Sequence, residues 1–139
     1  VQKTALPENG RNIILDQNIP IIEVTDSKGN KLAFTLDTGN SGADLTDLWF
    51  AKNAETAGAL PTETQNTWGH GGTLKHETVK VPECILTIGD ASVTFNDIPA
   101  SVPAGGTVTS TRDGNLGMGL LKKSGKITIS FDDMFIKVE

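Results

Sequence analysis

The chain of 139 residues has the size of one ordinary domain, long enough to bury a core without metal or disulfide staples. Its composition is globular and lean in aromatics, with 37% hydrophobic residues, 21% charged residues, five Phe, two Trp and no Tyr. A formal charge of −5 argues against a nucleic-acid partner, and no apolar run is long enough to span a bilayer. The lone Cys84 cannot form an internal disulfide, so the redox compartment stays open. The chain starts VQKTALPENG, with no basic or apolar leader segment. It is expected to be cytosolic, or exported with its leader removed.

In chain order, residues 1–12 are polar, hold Pro7 and Gly10, and read as a loose N-terminal arm ahead of one domain over 13–139. Asn12 to Asp16 and Ile19 to Thr25 are short Ile-rich runs expected to be strands. Asp26-Ser27-Lys28-Gly29-Asn30 is turn chemistry, and Lys31 to Leu36 returns as the second arm of a hairpin. From Asp47 to Ala57 a helix is expected, capped by Thr46 or Asp47, with Leu48, Phe50, Ala51 and Ala54 toward the core. Gly58 and Pro61 end it.

Thr62 to Val81 reads as a long polar hairpin with Gly69-His70-Gly71-Gly72 at its tip. Cys84 to Ile88 and Ser92 to Phe95 flank a Gly89-Asp90 turn, and Ile98 to Val102 is a further strand. Pro103 to Asp113 is a Gly/Thr/Ser loop, and Leu116 to Lys123 suits one or two helical turns. Lys126 to Phe131 alternates, with Ile127, Ile129 and Phe131 expected inward, and Phe135 to Val138 closes the chain as a strand. The fold class is all-β: a closed, barrel-like lobe with one or two short helices.

The chemistry concentrates in FTLDTGNSGA, residues 34–43, where a β-rich run stops at Asp37-Thr38-Gly39. A carboxylate at such a turn can act as a general base, but cleaving a peptide also needs a general acid for the departing nitrogen. Two carboxylates sharing one proton supply both roles, because their repulsion separates the two titration steps. Gly39 allows close approach of another loop and leaves its N–H free for the carboxylate, while the Thr38 hydroxyl can bond across to a facing loop.

Three segments carry a resemblance. LDTGNSGADLT (Leu36 to Thr46), TWGHGGTLK (Thr67 to Lys75) and NLGMGLL (Asn115 to Leu121) occur in the order and at the spacing of the retropepsin-like aspartic peptidases. The chain resembles that family from Ile13 to Val138. The resemblance implies Asp37 as the catalytic carboxylate, Thr38 as the brace between loops and Gly39 as the carboxylate's backbone donor. It implies a substrate-covering flap at Trp68, Gly69, His70, Gly71 and Gly72, with Leu116 and Gly117 supporting the acid loop from beneath. No metal or organic cofactor is implied. With one Asp-Thr-Gly in the chain, an active enzyme would be a homodimer acting on a peptide or protein substrate, its interface drawn from the terminal strands.

The chain departs from the family's pattern at Asn40, where Ser or Ala is usual, at Gly119, where Asp or Asn is common, and at His70, where an apolar residue is usual. These departures motivate an alternative expectation, a non-catalytic relative that binds peptides or serves assembly. A third is one lobe excised from a longer protein. Outside the three segments the readings are plain: Cys84 a buried inert thiol, Trp49 a packing residue, Asp132-Asp133 a solvated turn, and Asp113 no second catalytic acid because no Thr-Gly follows it. His70, His76 and Cys84 match no compact metal-ligand spacing.

Overall fold

The computed structural model of the protein describes residues 11–69 and 72–139. Its first strands follow directly from the Ile-rich runs. β1 (Ile13–Asp16) and β2 (Ile19–Asp26) pair antiparallel through the two-residue loop Gln17-Asn18, both at positive φ, the turn whose twist suits adjoining strands. β2 then pairs with β3 (Lys31–Leu36) around a turn in which the Asp26 carboxylate accepts from the Lys28 and Asn30 N–H groups.

β4 (Ala43–Leu45) follows the acid loop, and the expected single helix arrives in two pieces, α1 (Asp47–Lys52) and α2 (Ala54–Ala57). The break is Asn53, whose backbone lies outside helical values (φ −119°, ψ 30°) and whose side-chain amide donates to the Trp49 carbonyl. The expected core face also needs correction. Ala51 and Ala54 are exposed and Leu48 and Phe50 half-buried, whereas Trp49 and Ala57 are buried. Nor does a side chain cap the helix: Thr46 donates its hydroxyl to the Arg112 carbonyl, and Asp47 accepts from Thr109 and Ser110.

β5 (Thr62–Gly69) and β6 (Gly72–Ile88) form the long hairpin, and β7 (Ala91–Ser101) returns alongside β6. The two pairs of short strands expected here are two long ones, each interrupted at a single point. The ladder passes from Val81↔Ile98 to Glu83↔Asn96, so Pro82, which lacks a donor, sits opposite Asp97 at φ +54°. β8 (Gly114–Leu116), α3 (Met118–Lys123), β9 (Ile127–Ser130) and β10 (Phe135–Val138) complete the chain.

The eight-stranded sheet runs β1-β2-β3-β8-β4-β7-β6-β5, and a further β2–β6 pairing closes six of its strands into a barrel. Phe34, Leu45, Val79, Leu86, Ile88 and Leu116, all essentially inaccessible, fill it. The chain's two ends meet at its base. The Asn12 amide donates to the Ile136 carbonyl (3.0 Å) and accepts from the Ile136 N–H (2.8 Å), so Asn12, read as the end of the arm, is fixed to β10.

β9 and β10 make a separate two-stranded sheet. β10 sends Phe135, Ile136 and Val138 into the core. The inward reading of β9 holds only for Ile127, which is half-buried against the core, and fails for Ile129 and Phe131, which are 37% and 53% exposed. Among the described residues β9 pairs only with β10.

Candidate active site

The acid loop leaves β3 at the end of its ladder with β8. β8 lies between β3 and β4, parallel to the first and antiparallel to the second. Leu36, Leu116 and Ala43 therefore stand in register across three strands and pack toward the core. Asp37 comes next. Its N–H donates to the Leu116 carbonyl at 2.9 Å, and its own carbonyl accepts from the Asn40 N–H at 3.1 Å, so the backbone turns sharply. The side chain is exposed, and its Oδ1 accepts from the Gly39 N–H at 3.0 Å. That bond orients the carboxylate above the turn. Thr38 and Gly39 are exposed at the tip of the turn.

A second loop locks the first from beneath. The Gly117 N–H donates to the Gly42 carbonyl (3.0 Å), the Met118 N–H to the Asn40 carbonyl (2.7 Å) and the Gly119 N–H to the Gly42 carbonyl (3.2 Å). The first turn of α3 thus satisfies its free donors on the acid loop. Both glycines are required by this contact. A Cβ at Gly117 would overlap the Asn40 carbonyl oxygen, and one at Gly119 would come within 2.8 Å of the Gly42 backbone. Gly119 is therefore a close-packing residue, and main-chain bonds anchor α3 where a side chain might otherwise do so.

Asn40 does work that the sequence reading assigned to no residue. Its Oδ1 accepts from the Gly42 N–H at 2.9 Å, an Asx turn, and its Nδ2 donates to Asp44 Oδ2 at 3.0 Å. Asp44 Oδ1 accepts in turn from Asn115 Nδ2 at 2.6 Å. Asn40, Asp44 and Asn115 so tie the acid loop, β4 and β8 together. The Asn-x-Gly spacing carried the first of these bonds. Nothing local in the sequence carried the pairing of Asp44 with Asn115, 71 residues on.

The remaining candidates divide. Leu116 is fully buried under the acid loop and Gly117 is buried beside it. Trp68 and Gly69 end β5 and Gly72 opens β6, so the hairpin rises as expected; His70 and Gly71 lie outside the described residues. Asp113 is buried, accepting from the Ala33 N–H (2.9 Å) and from Lys52 Nζ (2.8 Å), and so staples α1 to the barrel. Cys84 is buried, and burial first, then the nearby Asp26 carboxylate, pushes its thiol up to about 11. A thiol held so is a poor nucleophile. A cavity of about 680 Å³ opens between β1, β3 and α1, lined by Ile14, Leu15, Leu48 and Met134 among others, and does not include Asp37.

No family model and no curated protein matches the chain. Solved structures do. The chain is similar to the crystal structure of a retropepsin-like aspartic protease from Rickettsia conorii, with a TM-score of 0.56, 22% identity, and 91% of this chain and 85% of that chain covered. It is also similar to the retroviral protease-like domain of Ddi1 from Leishmania major, with a TM-score of 0.59, 10% identity, and 86% of each chain covered. At these identities the likeness is one of fold.

Proposed function

We propose that this chain, which has the fold of the retropepsin-like aspartic proteases, is an endopeptidase that works as a homodimer with Asp37 of each copy sharing one proton. One observation carries the reading. An exposed carboxylate stands where β3 leaves its ladder with β8, oriented by the Gly39 N–H and braced by a second loop, in a chain with a single such turn. Rigid support beneath an exposed acid is what proton transfer at a fixed distance requires.

In the dyad the ionised carboxylate takes a proton from water as the water oxygen attacks the peptide carbonyl carbon. The protonated partner gives its proton to the nitrogen as the C–N bond breaks. One proton again remains on the pair. The substrate lies extended between the two copies, gripped by main-chain bonds under the β5–β6 hairpins. Ile129 on β9 and Phe131 just after it supply apolar surface for the union, since both are exposed. No metal or organic cofactor enters the scheme.

The test compares cleavage of a mixed peptide library by the wild-type chain and by Asp37→Asn across a range of protein concentrations. Wild type should cleave, and the variant should lose about 10²–10⁴-fold in rate, the usual contribution of a positioned acid–base group. Equal cleavage by both would defeat the proposal. Wild-type dimers that bind peptides and cleave none would favour a peptide-binding module instead.

A further inference from the structure

Beside Asp37 the barrel presents an unusual row. Phe34 and Leu36, Gly114 and Leu116, Leu45 and Ala43 face the core from β3, β8 and β4. Successive strand residues alternate in direction, so the residue between each pair faces the other way. Those residues are Thr35, Asn115 and Asp44, and the register sets them side by side: Thr35↔Asn115 and Asn115↔Asp44. All three are half-buried. The Asp37 N–H continues the ladder onto the Leu116 carbonyl, so the pleat runs on by one residue and turns Asp37 to the same face as Thr35. The row therefore adjoins the proposed reacting centre.

Its chemistry is anionic. Asp44 accepts one hydrogen bond on each oxygen, from Asn40 and from Asn115, both through neutral amides. Neither donor cancels the charge, and among the described residues no lysine or arginine is paired with Asp44. Each carboxylate oxygen has a second lone-pair site, and Asn115, which donates through its nitrogen, keeps its amide oxygen as an acceptor. The Thr35 hydroxyl is the third acceptor in line. A side chain that carries a positive charge and several N–H donors satisfies all of them, whereas an apolar one would strand a half-buried carboxylate.

We infer that the row of Asp44, Asn115 and Thr35 beside Asp37 selects substrates carrying lysine or arginine next to the cleaved bond. The inference rests on the proposed peptidase site and deepens it by naming the substrate class. A second copy related by a two-fold axis repeats the row, so the preference should hold on both sides of the cleaved bond. The formal charge of −5 favours the approach of such cationic peptides.

The experiment uses peptide sets in which lysine or its uncharged isostere norleucine occupies, in turn, the two positions on either side of the cleaved bond. Binding to the Asp37→Asn chain is read first, by fluorescence anisotropy, and kcat/KM with the wild-type active site second. Lysine should win by about tenfold at one or more positions, the worth of a hydrogen bond to a charged group. In Asp44→Asn and Asp44→Val that ratio should fall to near one. The ratio is the readout, since a purely structural role for Asp44 would lower both peptides together. Equal treatment of lysine and norleucine by the wild-type chain overturns the inference, as does a preference that survives both Asp44 variants. Cleavage without that preference leaves the peptidase reading standing. A lysine preference in binding, lost in the Asp44 variants and without any cleavage, upholds the selectivity and removes the peptidase reading.

Discussion

Thr109 and Ser110 turn their backbone N–H groups onto the Asp47 carboxylate, at 2.8 and 3.1 Å, and the Thr109 hydroxyl joins them at 3.0 Å. Burial alone pushes this carboxyl up, but the bonds from Thr109 and Ser110 outweigh it and hold it down at about 2. An unfolded carboxyl titrates near 4, so the folded state releases this proton more readily than the unfolded one. Its contribution to stability is then complete above about pH 4 and is lost as pH falls toward about 2. Asp47→Asn should cost about 1–3 kcal/mol at neutral pH, because the Thr109 and Ser110 donors lose a charged acceptor. In urea titrations the gap between wild type and variant should shrink across that acid window. A gap of constant size from neutral pH down to about 2 would contradict this account of Asp47. Gly119 teaches a related lesson by its lack of a side chain: with the Gly42 backbone 2.8 Å from where a Cβ would lie, an Asp or Asn there would force the two loops apart.

β9 and β10 share one hairpin and have opposite fates. β9 alternates apolar and polar residues and β10 is mostly apolar, and the pattern alone reads as two strands with apolar faces to bury. β10 finds the barrel, through Phe135, Ile136 and Val138, while β9 is left outside with Phe131 more than half exposed. Periodicity tells which residues share a face, and only tertiary packing tells what that face meets. The same limit explains β4 and β8, three residues each and paired over long stretches of chain, which no local pattern announces. By contrast the turns were legible, because Asp26-Ser27-Lys28-Gly29-Asn30 and Gly89-Asp90 carry their geometry in their residue types. If Ile129 and Phe131 are the dimer's contact, Ile129→Glu with Phe131→Glu should shift the chain to monomers in sedimentation while leaving β10 and the barrel folded. Unchanged dimers would place the interface elsewhere.

A single copy holds one Asp-Thr-Gly turn, one row of Thr35, Asn115 and Asp44 and one β5–β6 hairpin, so the proposed two-sided groove would draw half of its parts from each copy. The cavity of about 680 Å³ between β1, β3 and α1 does not include Asp37. The Asp-Thr-Gly turn, the long β5–β6 hairpin and the apolar-Gly segment before α3 were readable beforehand, since each is short, local and in order. What escaped was the polar network behind them: Asn40 marked a turn, but its link to Asp44, and Asp44's to Asn115, depend on strands that meet only in the folded barrel.

Mixing experiments reach the dyad itself. Wild-type chain is combined with growing amounts of Asp37→Asn chain at fixed total concentration, subunits are allowed to exchange, and peptide cleavage is followed. If each active unit needs Asp37 from two copies, the rate should fall as the square of the wild-type fraction. A rate that falls only in direct proportion to that fraction would mean that each Asp37 acts alone, and would contradict the account.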